Sequence, residues 1–397
     1  MSRAYIPYGG YWSTPFVRWQ GSFANLNAIP FAAEVAVRAL RERQISPGAF
    51  DALCLGISVP QRHSFYGAPW LAGLMGMPGL TGPTIMQACA TSARVIAAAA
   101  AEVETGVARS VLTITCDRCS NGPHVFYPNP LGPGGKGDAE DWVWDNFGFD
   151  PYAKNSMLQT AENVAREAGI TTAEQHELTL LRYSQYQAAL EGAAAFHKRY
   201  MVTPLEVKDP AGRRVMAKVE DDEGIFPTTT EGLAKLKPLQ GGGTVTFGGQ
   251  TFPADGNCGL IVCTRDQARA LGRDKVEVQV LAFAQARVRQ GFMPQATVPA
   301  ARQALDRAGV ALDGVTAIKT HNPFAVNDIY FSREMGVPKE AMNNYGSSLI
   351  WGHPQAPTGM RLIIELIEEL VLRGGGHGLF VGCAAGDTAA AVVIKVG

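Results

Sequence analysis

A chain of 397 residues with 46% hydrophobic and 18% charged residues can fill two or three packed units, much of whose surface is covered by other parts of itself or by a second subunit. The net charge of −1 gives no electrostatic reason to expect nucleic acid or an anionic membrane as partner. No apolar run reaches the roughly 18–20 residues that span a bilayer, residues 1–10 show no secretory leader, and seven scattered cysteines point to reduced thiols in the cytoplasm rather than to a disulfide framework.

Residues 30–44 repeat apolar positions at helical spacing, and 50–59 reads as a buried strand. A short strand over 84–88 leads into Cys89, followed by an Ala-rich helix over 90–105 that Gly106 stops. The run Ser110 to Thr115 is again β-rich. Strand, helix and strand in alternation predict parallel strands joined by crossover helices. From 118 to 243 the character changes. Residues 121–148, rich in Gly, Pro, Asn and aromatics, read as loop; 161–168 and 173–195 read as helices; 208–224 reads as a charged hairpin. Alternation then returns, with strands over 260–264, 276–284 and 317–320 and a helix over 299–308. An amphipathic helix over 358–372 follows Pro357, a residue tolerated at a helix start. Strands over 378–383 and 389–396 close the chain. The flanks look alike, which predicts two similar α/β halves, 1–117 and 244–397, around an inserted region at 118–243.

Cys89 falls where an apolar segment meets the N-terminus of a helix. Unpaired N–H groups and the helix dipole favour a thiolate there, and the thiolate is the nucleophilic form. Three polar clusters lie at the ends of apolar segments further on: Thr320-His321-Asn322-Pro323-Phe324, Trp351-Gly352-His353-Pro354, and Val381-Gly382-Cys383 through Asp387. Strand ends of α/β sheets are where side chains converge on ligands. The Cys116–Cys119 pair has CxxC spacing, but no second pair completes a zinc set, so no metal site is expected.

These segments together resemble the thiolase family. Met86-Gln-Ala-Cys89-Ala-Thr-Ser is similar to the family's nucleophile segment, Cys119-Ser-Asn-Gly-Pro-His to the loop after it, and Gly352-His353-Pro354 with Gly359-Met-Arg361 to its histidine segment. The resemblance implies a five-layered αβαβα fold of two similar halves with an inserted lid, a dimer or tetramer, and coenzyme A as co-substrate with no permanently bound cofactor. It implies that Cys89 is acylated by a 3-oxoacyl-CoA, that His353 activates it, and that Cys383 moves the proton at carbon. His321 or Asn322 would help hold the thioester oxygen, as would backbone N–H groups near Cys89 and Ala385-Gly386. Gln250, Thr251 and Phe252 stand at the loop that meets the pantetheine arm, with Met157 nearby, while Arg213, Arg214 and Lys218 are candidates for the CoA phosphates.

The His321-Asn322-Pro323-Phe324 segment resembles the sterol-carrier-type branch, some of whose relatives work with a small zinc-ribbon/OB-fold partner. Ser156 and Phe252 argue against acetoacetyl-CoA as the substrate. The aromatic stretch Phe126, Tyr127, Trp142, Trp144, Phe147 and Phe149 either packs a subunit surface or receives a bulky or aromatic acyl group. Two other functions stay open: a ketoacyl-synthase-type condensing enzyme using His321 and His353, and a non-catalytic acyl-CoA or lipid carrier or scaffold.

Overall fold

The computed structural model describes residues 4–209 and 211–397. The leader reading over 1–10 and the hairpin reading over 208–224 therefore each touch positions, 1–3 and 210, outside the described residues. The chain opens with three short strands, β1 (Tyr5–Pro7), β2 (Tyr11–Ser13) and β3 (Val17–Arg18). Helix α1 (Ala28–Glu42) is capped by the Asn27 side chain on the Ile29 N–H. Then come β4 (Ala52–Gly56), α2 (Gly67–Leu74), β5 (Thr84–Ile85), α3 (Thr91–Glu104) and β6 (Ser110–Arg118). The inserted region holds the hairpin β7 (His124–Tyr127) and β8 (Asp138–Asp141), helices α4 (Trp144–Gly148), α5 (Met157–Ala168) and α6 (Thr172–Ala194), the hairpin β9 (Leu205–Lys208) and β10 (Val215–Val219), and α7 (Thr230–Ala234). Thr171 and Glu174 form a capping box at the start of α6.

The second flank runs β11 (Ala254–Cys263), α8 (Arg265–Leu271), β12 (Glu277–Arg287), α9 (Thr297–Ala308), β13 (Val315–His321), α10 (Ala325–Met335), α11 (Ser348–Trp351), α12 (Ala356–Leu372), β14 (Gly376–Ala384) and β15 (Thr388–Val396). Strand β11 follows the insertion, yet it pairs with β6 over its whole length and so continues the sheet of the first flank. Gly259 in β11 lies against the Trp12 ring, where an added Cβ would come within 2.1 Å of a ring carbon.

The strands lie in the order β13-β14-β15-β12-β1-β11-β6-β4-β5, with β1 bridging the two flanks. In the first flank β4 is parallel to β5 and β6, and β6 is antiparallel to β11. In the second, β13 is parallel to β14 and β14 antiparallel to β15, while an isolated parallel bridge from Ile318 to Met342 takes the place of β5. The order β4-α2-β5-α3-β6-β11 is thus repeated as β13-α10-bridge-α12-β14-β15. The two halves are built alike, and α3 matches α12.

Alternate strand residues face opposite layers. Along β15, Ala389, Ala391 and Val393 join α9 and α10 in an outer core, whereas Ala390, Val392 and Ile394 join the central one. Along β6, Leu112, Ile114 and Cys116 face α1 and α2 in the other outer core. Helices α3 and α12 fill the middle, which completes five layers, αβαβα. This position overturns the reading of 358–372 as an amphipathic helix: every residue of α12 from Ala356 to Leu370 is buried. Its charges are therefore paired inside the protein. Arg361 meets Asp222 and Glu365, Glu368 meets Tyr11 and Arg199, and Glu369 meets Lys319.

Candidate active site

The repeat brings the N-termini of α3 and α12 to the same end of the sheets. Cys89 sits in the turn before α3. Ala88 has φ +45°, and the Thr91 hydroxyl fixes the turn by accepting the Gln87 N–H (2.8 Å) and donating to the Ala88 carbonyl (2.7 Å). The Ser92 hydroxyl donates to the Ala356 carbonyl and so ties α3 to the start of α12. His353 lies just before α12, with Nε2 3.1 Å from the Cys89 sulfur and Nδ1 2.6 Å from the Thr358 hydroxyl. With Nδ1–H donated to Thr358, the Nε2 lone pair faces the thiol, as a general base requires.

His321 ends β13, its ring centroid 4.1 Å from that of His353. The ligand atoms of Cys89, His321 and His353 all lie within 4.8 Å of one another. His321 Nδ1 is 2.8 Å from the Ser348 hydroxyl, and Nε2 is buried without a partner. The one Ser348 hydroxyl proton has two acceptors in reach, His321 Nδ1 and the Asn322 amide oxygen at 3.0 Å; in the state where it points at Nδ1, Nε2 carries the ring hydrogen and can donate it. Cys383 ends β14, buried, with the Asn327 amide donating to its sulfur at 3.1 Å.

Burial decides the charge state of these groups. It pushes the Cys89 thiol up to about 12, although the backbone N–H groups of Ala385 and Cys89 pull the other way. It lowers His353 to about 3 and His321 well below the ordinary range, the latter helped by the neighbouring His353. Burial, then the nearby Cys89, raises Cys383 well above a usual thiol. The resting pair is a neutral thiol and a neutral imidazole. The helix N-terminus alone does not make Cys89 a thiolate, because desolvation outweighs it.

A cavity of about 630 Å³ opens above Cys89. Trp142, Trp144, Phe147, Phe149 and Tyr152 from the insertion line one side, and Phe324 and Met293 the other. The stretch 121–148 is therefore not plain loop: the β7–β8 hairpin and α4 hold these rings in place.

Two family models match the chain, "Thiolase, N-terminal domain" over residues 11–266 and "Thiolase, C-terminal domain" over 274–396. The chain is 28% identical to an acetyl-CoA acetyltransferase of Pseudomonas aeruginosa over 390 residues, 95% of each chain. It is 30% identical to a beta-ketoadipyl-CoA thiolase of the same organism over 402 aligned positions, 96% of each. The solved acetyl-CoA acetyltransferase of Bacillus anthracis superposes with a TM-score of 0.91 at 26% identity, covering 100% of this chain and 99% of that one. The chain belongs to the thiolase family.

This thiolase is a CoA-dependent acyltransferase, with CoA and acyl-CoA as substrates. The alternative of a non-catalytic carrier therefore falls. Among the described residues no helix is long and apolar enough to cross a membrane.

Of the residues read from the sequence, Gln250, Thr251 and Met157 line the cavity together with Cys89 and His353. Asn322 does not offer a free donor. Its amide nitrogen donates to Asp328 and Ser347, and its oxygen accepts the Leu349 N–H, with the Ser348 hydroxyl as a second partner when that proton is not on His321, so both amide hydrogens are engaged in holding the His321 turn. Phe252 packs behind the wall, against Gly224 and Gly352. Arg213 and Arg214 stand on the exposed β9–β10 hairpin and not on the cavity, and Lys218 pairs there with Glu220. The arginine on the wall is Arg287, whose Nε donates to the Gly386 carbonyl at 3.1 Å.

Asp117, at the end of β6, was not singled out by the sequence. It is buried and accepts the N–H groups of Ser58, Val59 and Ala356 and the Ser58 hydroxyl, joining β6 to a cavity wall and to the start of α12. Burial raises it to about 7 despite these bonds. A folded-state pKa above the unfolded value gives stability that is full at low pH and lost as pH rises through about 7. Unfolding by urea should show this. Asp117→Asn should be less stable throughout, because its NH₂ faces N–H donors. Its loss of stability between pH 5 and pH 8 should nevertheless be smaller than in the parent, by roughly 1–3 kcal/mol. An equal loss in both proteins would assign that titration elsewhere, Asp255 being another carboxyl pushed up, to about 6.

Proposed function

We propose that this protein cleaves a 3-oxoacyl-CoA with CoA, or runs the reverse Claisen condensation, through an acyl-Cys89 intermediate. The observation that carries the reading is the 3.1 Å contact between the Cys89 sulfur and His353 Nε2 on the floor of the cavity. His353 takes the thiol proton as the sulfur attacks the 3-oxo carbonyl, a coupled transfer that suits a pair neutral at rest. Cys383 supplies the proton to the departing acetyl-CoA carbanion. The Cys89 and Ala385 N–H groups hold one developing oxyanion, and His353 with His321 holds the other. Gln250, Thr251 and Met157 border the pantetheine arm, and Arg287 meets a CoA phosphate.

The substrate is a bulky or aromatic acyl-CoA rather than acetoacetyl-CoA, supported by the ring-lined wall of the cavity. We assign residues 118–243 to a lid, with β11 counted to the N-terminal half. Met86, Trp144 and Phe149, exposed at the cavity rim, favour a homodimer or tetramer in which a second copy covers them. His321 favours the sterol-carrier-type branch, and with it a small zinc-ribbon/OB-fold partner. A two-histidine condensing enzyme is the second reading, favoured by the close approach of His321 and His353.

A panel of short, long, branched and aromatic 3-oxoacyl-CoAs, followed by loss of the Mg²⁺-enolate absorbance on adding CoA, tests the substrate class. We expect kcat/KM for the aromatic or branched members to exceed that for acetoacetyl-CoA by about tenfold or more, as burial of one large apolar group allows. A preference for acetoacetyl-CoA would overturn the assignment.

A further inference from the structure

Gln355 lies against the reacting atoms and has no task in the reading above. Its backbone has φ 57° and ψ −103°, a region that residues with a side chain rarely adopt. Pro354 precedes it, and Asp117 holds the next N–H, that of Ala356, at 2.8 Å. This backbone turns the side chain into the cavity floor, where the residue is 6% exposed and Oε1 stands 3.2 Å from the Cys89 sulfur. The Gln355 oxygen and His353 Nε2, 3.1 Å from the same atom, thus meet on one sulfur, and the amide favours the protonated ring against the effect of burial.

One proton is shared among three heavy atoms. Before reaction it sits on sulfur, and both His353 Nε2 and Gln355 Oε1 can accept it. After transfer it sits on Nε2, and two acceptors compete for that N–H: the sulfur and the amide oxygen. A sulfur that keeps the N–H has a lone pair tied up and is a poorer nucleophile.

We propose that Gln355 is a further catalytic residue, whose amide oxygen accepts the Nε2–H of His353 once that ring has taken the Cys89 proton, freeing the sulfur for attack. The S–H bond breaks and the Nε2–H bond forms. A sulfur lone pair then makes the S–C bond while the carbonyl π pair moves to oxygen. The proposal rests on the reading of Cys89 as nucleophile and His353 as base.

The test uses Gln355→Met, which keeps the length and removes the acceptor, and Gln355→Gly, which removes the side chain and relaxes the positive φ. Two quantities are read on the full-length enzyme: the rate of Cys89 alkylation by iodoacetamide across pH 6–10, and the split between kcat and KM for CoA. We expect both variants to alkylate about tenfold more slowly at pH 8, with the alkaline rise displaced to higher pH. We expect kcat to fall by about ten- to a hundredfold with KM within twofold of the parent. Parental alkylation and kcat in either folded variant, or an effect confined to KM, would overturn the proposal. If the parent itself takes no acyl label on Cys89, the underlying mechanism fails. If the parent is labelled and the variants alkylate normally, the role of Gln355 alone fails.

Discussion

Cys89→Ala is expected to lower kcat/KM for thiolysis by about four orders of magnitude or more and to abolish covalent capture of acyl label from a 3-oxoacyl-CoA. The size follows from the absence of a substitute. Cys54, Cys116, Cys119, Cys258 and Cys263 are buried free thiols that do not line the cavity, and the sulfur of Cys383 meets the Asn327 amide rather than an imidazole that could take its proton. Burial pushes Cys54, Cys258 and Cys263 up to about 12. Cys89 has the same handicap but has His353 at 3.1 Å to take its proton, which the structural cysteines lack. The fold should tolerate the change, since the Cys89 side chain borders open space and its turn is held by Thr91 rather than by sulfur. The thermal midpoint should therefore match the parent. Stopped-flow thiolysis and mass spectrometry of the denatured protein check both parts. Retained turnover, or label on another cysteine, would remove Cys89 from the reaction.

The parts of this site that could be read from the amino-acid sequence are those whose chemistry is carried by the residue type. A cysteine before an Ala-rich helix and a histidine between glycine and proline stand out without coordinates. Gln355 does not, because an amide has no reactive signature and its role arises from a backbone angle of +57°. Asp117 was equally invisible, since one buried carboxylate that gathers N–H groups from two distant segments looks like any acidic residue. Asn322 was misjudged for the opposite reason: its type suits an oxyanion donor, but only the fold shows its amide already engaged. Arg213 and Arg214 were misplaced because adjacency of charge says nothing about where a hairpin points. In the fold, long alternations such as β6, β12 and β15 were legible. The strands β1, β2 and β3, with two or three residues each, are shorter than any period that could announce them. The β7–β8 hairpin was hidden among glycines and prolines that ordinarily mark loops.

Cys383→Ala is expected to reduce carbon–carbon cleavage by two to four orders of magnitude, the usual worth of a positioned acid or base, while leaving simple acyl exchange nearly intact. In cleavage the acetyl-CoA carbanion leaves and must take a proton at carbon. A thiol that burial keeps neutral has that proton to give, and the Asn327 amide at 3.1 Å steadies the sulfur afterwards. Exchange of an acyl group between acyl-CoA and labelled CoA moves protons at sulfur alone, which His353 can do without Cys383. The variant should thus lose thiolysis and the exchange of deuterium into C2 of acetyl-CoA, yet still equilibrate label between CoA pools. A two-histidine condensing enzyme predicts otherwise. There His321 and His353 carry the carbon chemistry, and Cys383→Ala would keep most of its condensing activity. The unpartnered Nε2 of His321 is the group that would have to do it. Measuring deuterium exchange in Cys383→Ala decides between the two, because the exchange is lost if Cys383 gives carbon its proton and kept if His321 does.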